Sequence, residues 1–387
     1  MKQQQCRCGH LSQPQAEKTD CRLLLINKRK FRVCDEQADP VETEERGMKL
    51  IRTQDAVGHV LCHDMTQIIP GVVKDARFRK GHVVTEEDIP VLLSIGKEHL
   101  YVWEKTEGML HEDEAALRLR DLCISEHMHD SPVKEGKTEL IADADGLFEV
   151  DVDRLYAVND IEELMIATRH NNTAVRAGDK LAGMRVIPLV IDEKKLDQAR
   201  EAAGEMPLLK LTPWKLKTAA IITTGSEVLK GLIQDQFTPV VKRKLASFGI
   251  ETINHVLCGD DKEMICAEIK KAHEAGTDLI CCTGGMSVDP DDRTPGAISE
   301  SGVKVVTYGA PTLPGAMFCL GYYDDGTPVV GLPGCVMYAK STVFDLVLPR
   351  IAAGVKLQRK DFVRLGHGGL CLGCKNCHYP VCPFGKG

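Results

Sequence analysis

One pattern constrains this chain more than any other. Between Thr218 and Thr283, apolar runs alternate with amphipathic stretches, and glycines close most of them. "TAAIITTG" (Thr218 to Gly225) reads as a buried parallel strand that delivers a loop to the carboxyl edge of a sheet. Phe237, Val240, Val241, Leu245 and Phe248 then fall at i, i+3, i+4, i+8 and i+11, with Gly249 as the stop. "ETINHVLC" is a second strand, and "DKEMICAEIKKAHEAG" puts Ile265, Ile269 and Ala272 on one helical face before stopping at Gly276. "DLICC" is a third strand. Strands that are apolar on both faces need helices on both sides, so the pattern predicts a doubly wound, three-layer α/β domain. Such folds bind ligands where strand ends meet helix starts.

The third strand runs into "CCTGGMSVDPDDRTPGAI", Cys281 to Ile298. Packing explains little of it, because only Met286 and Val288 could fill a core. Gly284 and Gly285 let the backbone turn sharply and open amides to an anion, while Thr283, Ser287 and Thr294 offer hydroxyls to phosphate oxygens. Asp289, Asp291 and Asp292 would repel a phosphate unless Mg²⁺ bridges the two, or unless one carboxylate acts on a water or hydroxyl during transfer. The stretch therefore predicts a phosphorylated ligand held with a divalent cation. The competing account is an acidic surface loop in which Asp291 or Asp292 caps the next helix.

The 387 residues, 43% of them hydrophobic, suffice for two or three domains with their own cores. Residues 1–47 are polar and aperiodic and are expected to form a disordered extension, with Met48 as an alternative first residue. From 48 to 215 short runs alternate with turn signals, which predicts a mixed α+β domain. "GHVLCHDM", "EHLYVW", "GLFEVD" and "MRVIPLVI" read as strands, and "TEEDIPVLLSIG" as a helix stopped at Gly96. "HEDEAALRLRDLCISEHMHD" reads as an amphipathic helix with Leu117, Leu122 and Ile124 near one face and His127 and His129 solvated at its end. "GEMPLLKLTPWK" (Gly204 to Lys215) reads as a linker, 216–355 as the α/β domain, and 356–387 as a Cys-rich tail.

With 49 basic against 56 acidic residues and no Lys/Arg-rich face, nucleic acid is not an expected partner. No apolar run approaches the ~20 residues of a membrane span, and "RLLLINKRK" is too short for a signal-peptide core, so a cytoplasmic protein is the simplest expectation. In a reducing compartment, clustered cysteines bind metal more often than they form disulfides. Four of the sixteen cysteines stand near the start (Cys6, Cys8, Cys21, Cys34) and four near the end. Cys371, Cys374 and Cys377 are three apart and Cys382 follows with Pro383 behind it, close to the run in which thiolates hold a [4Fe–4S] cluster but with extra spacing before the last cysteine. A structural Zn²⁺ is the rival, although zinc sites usually separate two Cys pairs by a longer loop.

Four motifs in register carry a resemblance: "TTGSEV" (Thr223 to Val228), "GLIQD" (Gly231 to Asp235), "TGGMSVDPDDRTP" (Thr283 to Pro295) and "GLPG" (Gly331 to Gly334). From about Lys215 to Gly354 the chain resembles the molybdopterin-binding domain shared by molybdopterin molybdenumtransferase, molybdopterin adenylyltransferase and the competence-damage-inducible proteins. The resemblance implies a ligand, the dithiolene-bearing pterin phosphate or its adenylylated form, and a catalytic pair, Asp292 and Glu227. It implies that Thr224, Gly225, Ser226, Asp235, Thr283, Gly284, Gly285, Ser287, Asp289, Thr294, Pro333 and Gly334 bind the cofactor. Molybdate, Mg²⁺, a recipient molybdoenzyme and a homo-oligomer are the implied partners.

Residues 48 to about 105 resemble, more loosely, the amino-terminal part of the molybdenumtransferase, in "DAVGHVLCHDM" and "RFRKGHVVTEEDIPVLLSIGKEHLYVW". Three departures stand out. Ser226 replaces the aspartate of Thr-Gly-Asp-Glu, Ala316 in "LPGAM" replaces the lysine of Pro-Gly-Lys-Pro, and Cys335 replaces the asparagine of Gly-Leu-Pro-Gly-Asn-Pro. The transferase's carboxy-terminal β domain has no counterpart in the residues that follow Gly354. Cys335 is expected either to be activated at the start of a helix "CVMYAKSTVFDLVL" or to pack as a small buried thiol. The expected function is molybdenum insertion into adenylylated molybdopterin. A non-catalytic cofactor carrier or sensor with an iron–sulfur tail is the alternative, and a nucleotide pyrophosphatase, suggested by "DPDDRT", is a weaker third.

Overall fold

The computed structural model describes residues 48–69, 73–103, 107–290 and 292–386. The 1–47 extension with its four cysteines, and Asp291, lie outside the described residues.

Residues 48–215 hold two apolar cores rather than one. The first gathers Ala56, Leu61, Met65, Phe78, Val84, Leu92 and Leu100. An antiparallel pair, Met48–Arg52 with His99–Trp103, and a hairpin, Met65–Ile69 with Val73–Phe78, close it. The helix Asp88–Ser94 starts where Thr85 donates its amide and hydroxyl to the Asp88 carboxylate across 2.9 and 2.8 Å, and it stops at Gly96, whose φ is 79°. "GHVLCHDM" is not a strand. Gly58 turns the chain at φ 85°, and within the run only Val60 makes a bridge, to Val83, before Met65 opens the hairpin.

The second core spans a four-stranded antiparallel sheet, ordered Met128–Asp130, Lys137–Ala142, Lys180–Val186, Leu164–Thr168, and a three-stranded one, ordered Thr173–Val175, Gly146–Val150, Leu209–Pro213. The helix expected after His111 runs only from Glu112 to Cys123. Its buried apolar face is Ala115, Ala116, Leu119 and Cys123, so small residues let it lie close to the sheet, while Leu122 and Ile124 pack at the margin and Leu117 is only half-buried. His129 stands on the strand that follows, 2.5 Å from Asp143. "MRVIPLVI" breaks into two strands around Pro188, which has no amide for a ladder. The expected linker is a strand: Leu209 and Leu211 are buried in the core, and the crossing to the next domain falls after Pro213.

The α/β domain is the doubly wound sheet that the alternation predicts. Its strands are β1 (Thr218–Thr224), β2 (Glu251–Cys258), β3 (Leu279–Thr283), β4 (Lys304–Tyr308), β5 (Cys319–Tyr322) and β6 (Pro328–Leu332). Their order is β2-β1-β3-β6-β5-β4; the first four run parallel, and β5 is antiparallel to both its neighbours. Along β1, Ala219 and Ile221 face one core and Ala220 and Ile222 the other, which is the strand pleat at work. Helices α1 (Ser226–Leu229), α2 (Phe237–Ala246), α3 (Lys262–Glu274), α4 (Thr294–Glu300), α5 (Val343–Ala352) and α6 (Arg359–Arg364) cover the two faces, with α3 and α4 on one and α2, α5 and α6 on the other.

Helix α5 begins at Thr342, whose side chain and that of Asp345 form a capping box, so "CVMYAKSTVFDLVL" is not one helix and Cys335 sits in the short turn Gly334–Met337. Phe344, Val347, Leu348 and Ile351 of α5 are buried, each burial worth about 1.5–3 kcal/mol. The domain does not end at 355: Leu357, Phe362 and Leu365 complete the same core, and the exposed tail starts beyond them.

Candidate functional site

Parallel strands place their carboxyl ends at one edge of a sheet, so the loops after β1, β2, β3 and β6 emerge together. The loop after β3 turns on Gly284 and Gly285, at φ 86° and 55°. It also lies close against its neighbour. A Cβ on Gly284 would come within 2.3 Å of the Thr224 carbonyl oxygen, and one on Gly285 within 2.8 Å of Thr294 Oγ1.

The buried hydroxyls knit these loops rather than face a ligand. Thr294 Oγ1 donates to the Gly284 carbonyl across 2.9 Å and stands 3.3 Å from Thr224 Oγ1. Thr283, fully buried, donates to Thr223 Oγ1 across 3.2 Å. Met286 is buried as expected; Val288 is 82% exposed and fills no core. Pro333 is buried beneath its turn. What remains toward solvent is the backbone of Gly225, Gly284, Gly285 and Gly334, the side chains of Ser226, Glu227, Ser287 and Asp289, and half-buried Asp292. The Asp292 amide closes a turn on the Asp289 carbonyl at 2.9 Å, keeping the two aspartates in one tight turn.

Asp235 sits differently from the other expected contacts. Its Oδ1 accepts from the amides of Phe237 and Thr238 at 2.8 and 3.1 Å, which caps α2. Burial alone would raise its pKa, but hydrogen bonds from Thr238 and Phe237 outweigh that and hold it below the usual carboxylate value. Its Oδ2 lies 3.4 Å from His255 Nε2, on an imidazole whose pKa burial pushes down. Cys335 is half-buried and burial raises its thiol, so the turn does not activate it.

Three residues of this edge escaped the sequence reading. Asp260 accepts from the Ser226 amide at 2.8 Å and fixes the start of the β1 loop. His255 stands 2.9 Å from Thr238 Oγ1. The Tyr308 hydroxyl donates to the Met286 carbonyl at 2.9 Å, and burial, helped by the charges of Cys319 and Asp292, raises its pKa. "GDD" after β2 carried the signal for Asp260; Tyr308 comes from a distant strand, so no local motif announces it.

The site fits a phosphorylated ligand in one respect and is incomplete for a cation in another. Two positive-φ glycines present an open backbone turn beside exposed hydroxyl and carboxylate groups. Among the described residues, however, no three His, Cys, Asp or Glu side chains converge on a metal position. Mg²⁺ commonly takes only one or two protein carboxylates and completes its shell with phosphate oxygens and water, so Asp289 and Asp292 fit that role with the ligand present.

The tail thiols are likewise not gathered. Cys371 and Cys382 are half-buried, and Cys374 and Cys377 are exposed. The segment is held at both ends. The Cys371 amide donates to the Leu313 carbonyl at 2.8 Å, and the Tyr379 hydroxyl donates to the Asp345 carbonyl at 2.8 Å. Cys377 Sγ lies 3.5 Å from Ser341 Oγ, and that contact, with the Tyr379 amide, lowers its pKa. His367 and His378 are exposed. Among the described residues, no helix is long and apolar enough to cross a membrane.

Residues 220–353 match a family model described as "Probable molybdopterin binding domain", and residues 50–104, the first apolar core, match one described as a domain of unknown function. A CinA-like protein of Mycobacterium tuberculosis is 38% identical over 76 residues, 20% of this chain and 18% of that protein. The chain thus matches about a fifth of the length of such curated relatives. Similar solved structures include two from molybdopterin biosynthesis. One is the molybdopterin biosynthesis enzyme MoaB of Thermus thermophilus, at 22% identity over 37% of this chain and 99% of that one, TM-score 0.31. The other is the molybdopterin biosynthesis Mog protein of Mycobacterium ulcerans, at 24% identity over 35% and 91%, TM-score 0.28.

Proposed function

We propose, for a chain whose residues 220–353 belong to the molybdopterin-binding domain family, that it binds a pterin phosphate at the carboxyl edge of β1, β3 and β6 and acts in molybdenum cofactor biosynthesis. The observation that carries this reading is the interlock of the Gly284–Gly285 turn with Thr224 and Thr294. It joins the loops after β1 and β3 and the start of α4 in one pre-ordered unit. A loop ordered before binding spares the ligand that entropic cost.

In this reading the backbone of Gly225, Gly284, Gly285 and Gly334 approaches the ligand without side-chain bulk. Ser226 and Ser287 donate to its phosphate oxygens, and Pro333 shapes the turn beside them. Thr224, Thr283, Thr294 and Asp235 hold the loops in place. Glu227 and Asp292 supply the carboxylates that orient an attacking oxygen or take its proton. Mg²⁺, when bound, would neutralise phosphate charge next to Asp289 and Asp292. Molybdate is the substrate to be loaded, and the chain is a molybdenum-inserting transferase of cytoplasmic setting, working as a homo-oligomer. Anaerobic purification tests the reading. Oxidation of the released ligand should yield a fluorescent pterin in near-stoichiometric amount, and a ligand-free protein that also fails to take up added molybdopterin would oppose it.

A second reading rests on Ala316 and Cys335, where the resembled motifs carry lysine and asparagine. Ala316 lies in the β4–β5 connection, where its carbonyl accepts from the Ala310 amide at 2.9 Å and its own side chain carries no charge. A site without that charge suits holding and delivering a finished cofactor to a molybdoenzyme better than turning over a phosphate. In either reading the tail, Cys371, Cys374, Cys377 and Cys382, is a metal site that must rearrange to bind. A [4Fe–4S] cluster is the first occupant proposed and Zn²⁺ the alternative.

A further inference from the structure

A cleft of about 1510 Å³ separates the 107–213 body from the α/β domain. None of Thr224–Glu227, Thr283–Gly285, Asp292 or Pro333–Gly334 lines it, so it is distinct from the carboxyl-edge site. Its α/β wall carries Lys244, Arg350, Arg364 and Lys386 against only Asp345 and Asp361, an excess of two positive charges. Both carboxylates are already engaged, Asp345 by Lys244 and Asp361 by Arg350. On the facing wall Asp145, Asp151, Asp153 and Asp179 stand with Arg169 and Arg176, so the positive excess belongs to the α/β wall and not to the cleft as a whole. Arg154 takes Asp151 at 2.8 Å, Arg169 takes Asp179 at 3.1 Å, and the Ala177 amide donates to Asp145 at 2.9 Å.

Arg350 is the focus of the positive wall. Its side chain is 9% exposed, yet its contact with Asp361 is 3.4 Å, long for a charge-assisted bond, and its Nε has no hydrogen-bond partner among the described residues. A guanidinium carries five donors, and burying it with one distant acceptor is unfavourable unless another acceptor arrives. Burial accordingly holds its pKa below the ordinary arginine value, against the opposing pull of Asp361. Arg364 stands one turn along α6 from Asp361 and is exposed to the same cleft with no ion pair among the described residues.

We propose that this cleft is a second ligand site, which takes a small phosphate-bearing molecule on Arg350 and Arg364. Phosphate rather than carboxylate follows from the donors: a tetrahedral oxyanion offers acceptors to two guanidinium groups at once. The test is equilibrium binding by the full chain, with inorganic phosphate and AMP as probes and acetate and adenosine as controls. Phosphate and AMP should bind and the controls should not. Arg350→Met should weaken AMP at least about tenfold, and Arg364→Gln several-fold. If Arg350→Met does not fold, the exposed Arg364→Gln carries the test alone. Absence of phosphate and AMP binding, controls that bind as well, or AMP affinity unchanged in the folded variants would each overturn the proposal. The last result would place AMP at the carboxyl-edge site instead.

Discussion

Thr294 Oγ1 donates to the Gly284 carbonyl oxygen across 2.9 Å, so the first residue of α4 is tied back to the glycine turn that precedes the acidic loop. The same hydroxyl stands 3.3 Å from Thr224 Oγ1 at the end of β1. Two strand ends and a helix start are thereby one packing unit, with the Asp289–Asp292 turn strung across it.

Gly284→Ala measures how tight that unit is. At φ 86° an alanine is strained, and its Cβ would meet the Thr224 carbonyl oxygen at 2.3 Å. We expect a loss of about 3 kcal/mol in urea unfolding. Gly276→Ala, at φ 73° with nothing within 4 Å, should lose only about 1–2 kcal/mol. Equal losses would mean that the close approach of the two loops adds nothing.

Asp292→Asn separates binding from chemistry. Removing a carboxylate that faces a phosphate relieves repulsion, so pterin affinity should stay within about threefold, while transfer activity should fall at least about a hundredfold. Full turnover in the variant would remove Asp292 from the catalytic pair and strengthen the carrier reading.

The sequence was most readable where period and glycine stops agree. β1, α2, β2, α3 and β3 lie where the alternation puts them, and Ile265, Ile269 and Ala272 form the buried face of α3 as their spacing requires. It was least readable where one apolar run serves two purposes. Leu209 and Leu211 look like part of a Pro-bounded linker because their partner strand, Gly146–Val150, is sixty residues away in the chain. Phe362 and Leu365 look like tail because the core they complete was built earlier. At the candidate site, the Thr-rich motifs lie on loops that emerge at the carboxyl edge of the sheet, but residue type alone could not tell that Thr283 and Thr294 turn inward while Ser287 faces out.

Glu112 should make stability pH-dependent. It is buried where the helix Glu112–Cys123 begins, and burial, reinforced by Asp113, raises its pKa from 4.5 to about 7 against the pull of Arg185 at 3.6 Å. A raised carboxyl favours the folded state while protonated, so its contribution is full below about pH 4.5 and is lost as pH rises to about 7. Glu112→Gln should therefore stabilise the protein at pH 8 by up to about 3 kcal/mol and have little effect at pH 4.5. Equal effects at both pH values would show that Glu112 titrates normally.

The tail prediction concerns metal. Anaerobically purified protein should be brown and contain about four irons and acid-labile sulfide per chain, and Cys374→Ser should lose both while the α/β domain stays folded. One zinc per chain without sulfide would replace the cluster by a structural ion and remove any redox role for the tail.

Equilibrium binding of molybdopterin to the full chain, measured without air beside an unrelated α/β protein, tests the central claim most directly. Saturable binding near one pterin per chain, weakened at least about tenfold by Gly284→Ala, is the predicted result. Binding no tighter than the unrelated protein shows, or binding indifferent to Gly284, would contradict a pterin site at the carboxyl edge of this sheet.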